Sequence, residues 1–216
     1  MLKLKLFVSN RKPKILCLGA HPDDIEIGCG GTLLRIIEEL PDAEFCWVVF
    51  SGNNRRQKEA SESARVLLRN LERKEVLLND FRESYFPFIG AEIKDYFEEL
   101  KGNISPDLIF THYRKDAHQD HRLVSDLTRN TFRDHFLLEY EIPKFDGDLG
   151  NPNLYVHINE TLANRKMDLI LENFKSQKEK PWFTRDMFHA FLRIRGVESN
   201  SPSKYAEAFY CGKIVI

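Results

Sequence analysis

The sequence predicts a single-domain, Rossmann-like α/β fold, with a mostly parallel sheet flanked by helices and an active site at the carboxyl ends of the strands. Two observations support this fold class. Apolar, strand-like runs alternate along the chain with amphipathic helical patterns, and histidine-rich polar segments follow two of those runs. The chain has 216 residues, of which 42% are hydrophobic, and this is enough to fill one core. We therefore expect one domain over residues 1–216.

The first strand is expected at 14–20, where KILCLGA is an apolar run that ends in small residues. The glycines within 28–31 then mark a strand-to-helix turn. Short apolar runs predict further strands at 44–51, 75–78, 107–112, 154–159 and 206–216. Amphipathic patterns predict helices at 58–71, 92–100, 121–133, 160–177 and 184–195. Residues 143–153 are rich in Pro, Gly and Asn but too short to separate two domains, so we expect a surface loop near the mouth of the site.

The charges nearly balance, with 32 basic and 33 acidic side chains and a formal net charge of −1. No global field therefore recruits nucleic acid or an anionic membrane. The four cysteines show no CxxC pairing, which indicates a reduced, cytoplasmic protein. Residues 1–7, MLKLKLF, carry two lysines and no cleavage signature, so they are expected to form an edge strand or a loose tail rather than a signal peptide. No stretch approaches the roughly 18 apolar residues of a membrane span. The sequence leaves a homo-oligomer open.

Two polar segments carry the chemistry, LGAHPDDIEIGCGG at 18–31 and THYRKDAHQDH at 111–121. Each follows a predicted strand, and parallel strands end at the same crevice. His21 and Asp24 are three residues apart on a tight turn and could bind one ion, to which His121 could add a third ligand. Such a set leaves positions open for water and substrate, as a catalytic zinc requires. Asp23 is then free to accept a proton from the bound water.

The segments AHPDDIEIGCGG and DAHQDH, with YAEAF at 205–209, resemble in the same order the three signature blocks of the PIG-L/LmbE family of zinc-dependent N-deacetylases. The resemblance implies removal of an N-acetyl group from an N-acetylglucosamine-type amino sugar, a sugar nucleotide or a related glycoconjugate, with zinc or another divalent metal. It also implies roles by position, namely zinc ligands His21, Asp24 and His121, general base Asp23, and a supporting dyad of His118 with Asp120. One departure is Gln119, where the family commonly has proline; as a spacer it should matter little.

Within RRQKE at 55–59 the chain resembles the family's Arg-x-x-Glu element, which makes Arg56 a candidate substrate contact. In the expected mechanism a protonated His118, oriented by Asp120, joins the metal in stabilising the tetrahedral oxyanion. Either Asp23 or His118 could then protonate the departing amine.

Other interpretations remain open at this stage. Metal clusters of this type also serve phosphoester hydrolysis, and a sugar- or nucleotide-binding module with an inactive site is a third hypothesis. A dinucleotide site is disfavoured, because the glycines do not form GxGxxG and the second strand ends in Ser-Gly-Asn. Asp116 could touch the site or, as a charged loop residue, be solvated, and YAEAF either packs in a strand or brings Tyr205 or Glu207 near the site. The remaining histidines, His112, His135, His157 and His189, are expected to be structural. His112 is the main candidate for an exception, because it lies at a strand end.

Overall fold

The structure is a computed structural model that describes residues 12–215. Its seven strands are β1 Lys14–Gly19, β2 Glu44–Ser51, β3 Lys74–Phe81, β4 Leu108–His112, β5 Phe136–Tyr140, β6 Leu154–Ile158 and β7 Tyr205–Cys211. Its α-helices are α1 Asp24–Glu39, α2 Asn54–Leu67, α3 Gly90–Asn103, α4 Gln119–Thr131, α5 Glu160–Asn173 and α6 Arg185–Glu198. Single turns of 3-10 helix lie at Phe86–Phe88 and Lys175–Gln177.

All seven strands form one sheet in the order β3-β2-β1-β4-β5-β7-β6. The first five in chain order are parallel, while β7 runs antiparallel to both β5 and β6. This is the predicted α/β class, with a mostly parallel sheet flanked by helices. The chain order reverses at β1, which lies between β2 and β4, and ligand sites of open α/β sheets lie at such a point. The extension of one domain to all of residues 1–216 stays a prediction.

The core lies on both faces of the sheet, because alternate residues of a strand point to opposite sides. In β1, Ile15 and Cys17 face α1, α2, α5 and α6, whereas Leu16 and Leu18 face α3 and α4. All four side chains are fully buried. The central strand is therefore apolar along its length, and its polar continuation begins only at its carboxyl end.

Helices α1 and α2 begin at least four residues earlier than expected. Helix α1 starts at Asp24, so the glycines predicted to form a turn at 28–31 lie inside it. Helix α2 starts at Asn54 rather than at 58, because the Asn53 side chain accepts hydrogen bonds from the backbone N–H groups of Arg55 and Arg56. This capping outweighs the absence of apolar residues from the first turn.

Strand β5 was not predicted, because Glu139 interrupts its apolar run. In the structure Glu139 is buried, and its carboxylate accepts hydrogen bonds from the Arg129 side chain and the backbone N–H of Arg114. A charge that is satisfied by partners distant in sequence is compatible with a buried strand.

Two observations concern the ends of the chain and the membrane. The expected edge strand or tail at 1–7 lies outside the described residues. Over residues 12–215, none of the helices combines the length and the apolar character needed to span a bilayer.

Candidate active site

The carboxyl ends of β1 and β4 bring His21, Asp24 and His121 together, as the sequence predicts. His21 Nδ1 lies 3.1 Å from His121 Nε2, and Asp24 Oδ2 lies 3.4 Å from the first nitrogen and 3.5 Å from the second. All three side chains are buried. Ligand atoms about 2.0–2.2 Å from a tetrahedral ion lie roughly 3.3–3.6 Å from one another, so this triangle has nearly the size that one ion requires.

The outer nitrogen of each histidine is held by a carboxylate. His121 Nδ1 lies 3.0 Å from Asp116 Oδ2, and His21 Nε2 lies 3.1 Å from Asp120 Oδ2. When both rings are neutral, protons on the outer nitrogens donate to these carboxylates, and the lone pairs of the two inner nitrogens face each other and Asp24 Oδ2. Three electron-pair donors therefore converge on one point, which is the arrangement of a metal site.

The charges around the three predicted ligands are suited to a bound cation. Within residues 12–215, neither Asp24 nor Asp120 forms an ion pair with a lysine or an arginine. Burial alone would lower the pKa of His21, but Asp24 and the hydrogen bond to Asp120 raise it to about 10. Burial and the neighbouring His112 lower the pKa of His121 to about 3. The opposite directions mean that one positive charge is favoured between the two facing rings.

The predicted dyad of His118 with Asp120 is wrong in its geometry. Besides meeting His21, the Asp120 carboxylate accepts hydrogen bonds from Ser84 N at 2.6 Å and Phe86 N at 3.2 Å. It lies in the first turn of α4, and among the described residues no hydrogen bond joins its carboxylate to the His118 ring. Asp120 therefore orients a predicted metal ligand instead.

His118 caps the start of α4, and its Nδ1 accepts a hydrogen bond from the backbone N–H of Asp120 at 3.2 Å. Its ring centroid lies 4.8 Å from that of His21 and 4.6 Å from that of His121. Burial lowers the pKa of His118, and the charge of His21 lowers it further. These contacts favour the neutral ring with its proton on Nε2, in contrast to the protonated form expected from the sequence.

Asp23 lies between the predicted ligand His21 and the start of α1, and its backbone φ is 97°. Residues other than glycine rarely adopt this left-handed conformation, and it persists where the surrounding contacts enforce it. Arg56 Nη2 donates to Asp23 Oδ1 at 2.9 Å and to the Pro22 carbonyl at 2.6 Å. Burial raises the pKa of Asp23 to about 7 against the opposing charge of Arg56. A carboxylate with this pKa is suited to accept a proton near neutral pH.

Arg56 contacts other residues of the protein, and its contact with a substrate stays a prediction. Its side chain is buried, with Asp23 and Pro22 on Nη2 and the Glu83 carboxylate 3.2 Å from Nη1. Because Nη1 and Nη2 both donate to acceptors of the protein, Arg56 is placed to position Asp23, while its Nε has no hydrogen-bond partner among the described residues.

Sequence reasoning missed four contacts that hold the site. Asp116, for which the sequence left open solvation or contact with the site, is buried, and His121 and Lys144 both bind its carboxylate. Lys144 lies 3.0 Å from Asp116 Oδ1 and also pairs with Asp148, whose carboxylate accepts the backbone N–H of Ala117. The loop at 143–153 is thereby attached to the site, as its predicted place at the mouth requires. In the sequence, the only signal for these contacts is that the segment 111–121 follows the end of a predicted strand.

His112, the last residue of β4, is fully buried beside the predicted ligands. Its Nε2 accepts the backbone N–H of Ala20 at 2.9 Å and lies 3.2 Å from Asp24 Oδ2. Among residues 12–215, two further sets could hold an ion by spacing alone: His21 with His118 and His121, and Asp24 with His112 and His121. In both sets one histidine already accepts a backbone N–H.

Residues 16–132 match the family model described as PIG-L, GlcNAc-PI de-N-acetylase, and the match covers more than half of the chain. The chain belongs to the PIG-L family. It is similar to the uncharacterized deacetylase YaiS of Escherichia coli strain K12, with 28% identity over 124 residues. That alignment covers 54% of this chain and 66% of YaiS, slightly less than two thirds of the relative.

Solved structures share the fold of this PIG-L family chain. The conserved protein TT1542 from Thermus thermophilus has a TM-score of 0.72 at 21% identity, covering 94% of this chain and 96% of that one. The N,N'-diacetylchitobiose deacetylase from Pyrococcus horikoshii has a TM-score of 0.66 at 19% identity, covering 93% and 84%. At these identities the likeness establishes the architecture.

The YAEAF segment of this PIG-L chain packs against α1, where Glu207 meets Gly31 and Thr32, about two turns from the predicted ligand Asp24. The buried Glu207 carboxylate accepts the backbone N–H groups of Gly31 at 2.9 Å and Thr32 at 2.6 Å. Lys166 Nζ lies 2.5 Å from the same carboxylate and donates to the Ile27 carbonyl at 2.6 Å. Of the two sequence alternatives for this segment, strand packing describes its contacts.

Proposed function

We propose that the protein is a zinc-dependent N-deacetylase that removes the N-acetyl group of an N-acetylated amino sugar, sugar nucleotide or related glycoconjugate. The observation that carries the proposal is the convergence of His21 Nδ1, Asp24 Oδ2 and His121 Nε2 within 3.1–3.5 Å, beside a carboxylate at Asp23 that is not part of the set. Membership of the PIG-L family supports the same reaction. Another divalent metal could take the place of zinc at such a set.

The proposed ligands are His21, Asp24 and His121, with Asp120 and Asp116 fixing the orientation of the two imidazoles. When bound, zinc supplies a Lewis acid that lowers the pKa of water and polarises the acetamide carbonyl. Two histidines and a carboxylate leave part of a tetrahedral shell open, as a catalytic site requires.

Asp23 accepts the proton of the attacking water at a carboxylate oxygen. Arg56 donates to one of the two carboxylate oxygens of Asp23, Oδ1, so the other oxygen is left to take the proton. The pKa of about 7 lets the carboxylate take a proton and afterwards return it to the departing amine. The reaction splits the amide C–N bond and adds one water, giving acetate and a free amine.

His118 donates a hydrogen bond from Nε2 to the carbonyl oxygen as negative charge develops on it. The backbone N–H of Asp120 occupies Nδ1 and thereby fixes the tautomer with its proton on Nε2. A neutral imidazole donor of this kind stabilises an oxyanion without a change in its own charge. In this arrangement Asp23 is the group that returns the proton to the amine.

The test measures zinc content and acetate release together. Purified protein should contain about one zinc and release acetate from members of a panel of N-acetylglucosamine derivatives and sugar nucleotides, while Asp23→Asn keeps the zinc and loses most of the activity. A phosphoester substrate in the same panel tests the alternative hydrolase. Protein that binds zinc but cleaves no N-acetyl compound in the panel, while hydrolysing the phosphoester, would overturn the proposal in favour of that alternative.

A further inference from the structure

We infer that His112 is a positioning residue for the metal ligands, acting on His21 through the backbone and on His121 through ring contact. The inference rests on the proposed function, because it concerns the affinity of the metal proposed there. His112 is the last residue of β4 and is fully buried. It is not one of the three predicted ligands, yet it contacts Asp24, His121 and the residue that precedes His21.

The first contact fixes the loop that carries His21. Ala20 lies between β1 and His21, and its backbone N–H donates to His112 Nε2 at 2.9 Å. The chain is also fastened at His21, whose own backbone N–H donates to Asp24 Oδ2 at 2.7 Å. The position of His21 therefore depends on backbone bonds to Asp24 and to His112, in addition to the bond between its ring and Asp120.

The second contact supports His121. The rings of His112 and His121 lie nearly parallel, with centroids 3.9 Å apart and an interplanar angle of 16°. Asp116 holds the edge of the His121 ring, whereas His112 covers its face. Together these two contacts define both the direction of the inner nitrogen and the plane in which its lone pair lies.

The protonation pattern of His112 argues that the nitrogen, and not only the ring, is used. Because Nε2 accepts the Ala20 N–H, the proton of the neutral ring lies on Nδ1. Nδ1 is buried and has no hydrogen-bond partner among the described residues. An unsatisfied buried donor is unfavourable, and an apolar side chain would avoid it. The acceptor at Nε2 is the function that an apolar residue could not supply.

The same bond separates a positioning residue from a fourth ligand. His112 Nε2 lies 3.2 Å from Asp24 Oδ2, so its distance alone would suit coordination. A ligand needs the lone pair of that nitrogen, however, and the Ala20 N–H already occupies it. Coordination by His112 would leave the backbone group at the end of β1 buried and unpaired.

The experiment compares zinc dissociation constants of the full chain by competition with a chelating dye. His112→Phe keeps a flat ring and loses the acceptor, whereas His112→Gln restores an acceptor at the position of Nε2. We expect His112→Phe to bind zinc about 10–100-fold more weakly, as is usual when a group that orients a ligand is removed, and His112→Gln to recover part of the loss. Thr111→Val is the matched control, because Thr111 precedes His112 in β4 and the change removes its buried hydroxyl contact with Thr128 of α4. It should lower the unfolding temperature and leave zinc affinity unchanged.

The Co²⁺-substituted proteins supply a second measurement. Absorption bands of the bound Co²⁺ should keep the same pattern in wild type and His112→Gln, because the ligand set is unchanged. Should His112→Phe fail to fold, His112→Asn takes its place, since asparagine is one methylene too short to reach the Ala20 N–H and should weaken zinc binding similarly.

Three results would decide against the inference. Zinc affinity equal to wild type in the variant without an acceptor would show that His112 only fills space. A Co²⁺ spectrum that loses a nitrogen ligand in His112→Gln would make His112 a ligand. Wild-type protein that binds no zinc would overturn the proposed metal site as well, whereas zinc binding without deacetylation would leave this inference standing and reject only the proposed reaction.

Discussion

Gly28 of α1 faces the ring of Tyr140 so closely that a β-carbon at position 28 would lie 2.1 Å from Tyr140 Cδ2. The ring cannot retreat, because it is fully buried and its hydroxyl donates to the Leu18 carbonyl at 2.6 Å. The glycine thus permits a side chain of β5 to pass beneath the helix that carries Asp24 and to reach the end of β1.

Gly28→Ala should therefore lower the free energy of unfolding by about 1–3 kcal/mol or more, the usual effect of overpacking a core. Gly30→Ala is the control on the same helix, because its nearest neighbour would be a Lys166 methylene at 3.7 Å. That change should be neutral or stabilise the protein by about 0.5–1 kcal/mol, since alanine is the better helix former. Denaturant unfolding of both variants checks the pair, and equal stability of the two would contradict the packing described.

His121→Ala should abolish tight zinc binding, because it removes one corner of the ligand triangle and leaves two donors. Wild-type protein should gain about 2.7 kcal/mol of stability when free zinc exceeds its dissociation constant 100-fold, and the variant should not. His135→Ala is the control, because this histidine contacts Asp134 and Phe132 away from the site. Full zinc occupancy of a folded His121→Ala protein would remove His121 from the ligand set.

Asp23→Asn should keep zinc and reduce kcat by about 10²–10⁴-fold, the usual contribution of a positioned general base. Arg56→Met should lower kcat less, because the carboxylate remains but loses the donor that holds it at 2.9 Å. Steady-state kinetics and zinc analysis of both proteins test the order of the effects. If Asp23→Ala lost the metal while Asp24→Ala kept it, the two aspartates would exchange roles.

Asp120→Asn should weaken zinc binding about 10–100-fold, because its carboxylate holds the outer nitrogen of His21. His118→Ala should instead retain zinc and lose kcat, since His118 is proposed to act on the substrate oxygen. The contrast is measured by zinc titration and kcat on the same preparations. An Asp120→Asn protein with normal zinc affinity and a defect confined to kcat would restore the dyad expected from the sequence.

Lys166→Met should destabilise the protein by about 3–5 kcal/mol, because it leaves the Glu207 carboxylate buried without its cation. A second change, Glu207→Gln, in the same chain should recover part of that loss by removing the charge. Thermal unfolding of the single and double variants measures the coupling. Additive losses would indicate that the two side chains act independently.

The predicted ligands were accessible from the sequence because their positions follow from strands alone. Apolar runs fix where β1 and β4 end, and the polar segments that follow those ends carry His21, Asp24 and His121. The partners of the ligands were not accessible in this way. Asp116 and Asp120 are both near His121 in sequence, and only the direction of each side chain determines that one holds His121 and the other holds His21.

The fold showed the same division. Strands with uninterrupted apolar runs were predicted, whereas β5 was not, because burial of Glu139 depends on Arg129 from the neighbouring helix. The start of α2 depended likewise on the cap formed by Asn53, whose effect extends the helix by a turn before its first apolar residue. The local sequence pattern predicts a strand or helix when the element's own residues account for its burial and its ends, without partners from elsewhere in the chain.

The contact between Glu207 and the middle of α1 also determines the order in which the site can be assembled during synthesis. The helix that carries Asp24 emerges early, whereas the carboxylate that binds Gly31 N and Thr32 N belongs to the last strand. A nascent chain that already contains every proposed ligand still lacks the group that completes this helix. Truncation within β7 should therefore impair metal binding even though none of the proposed ligands is removed.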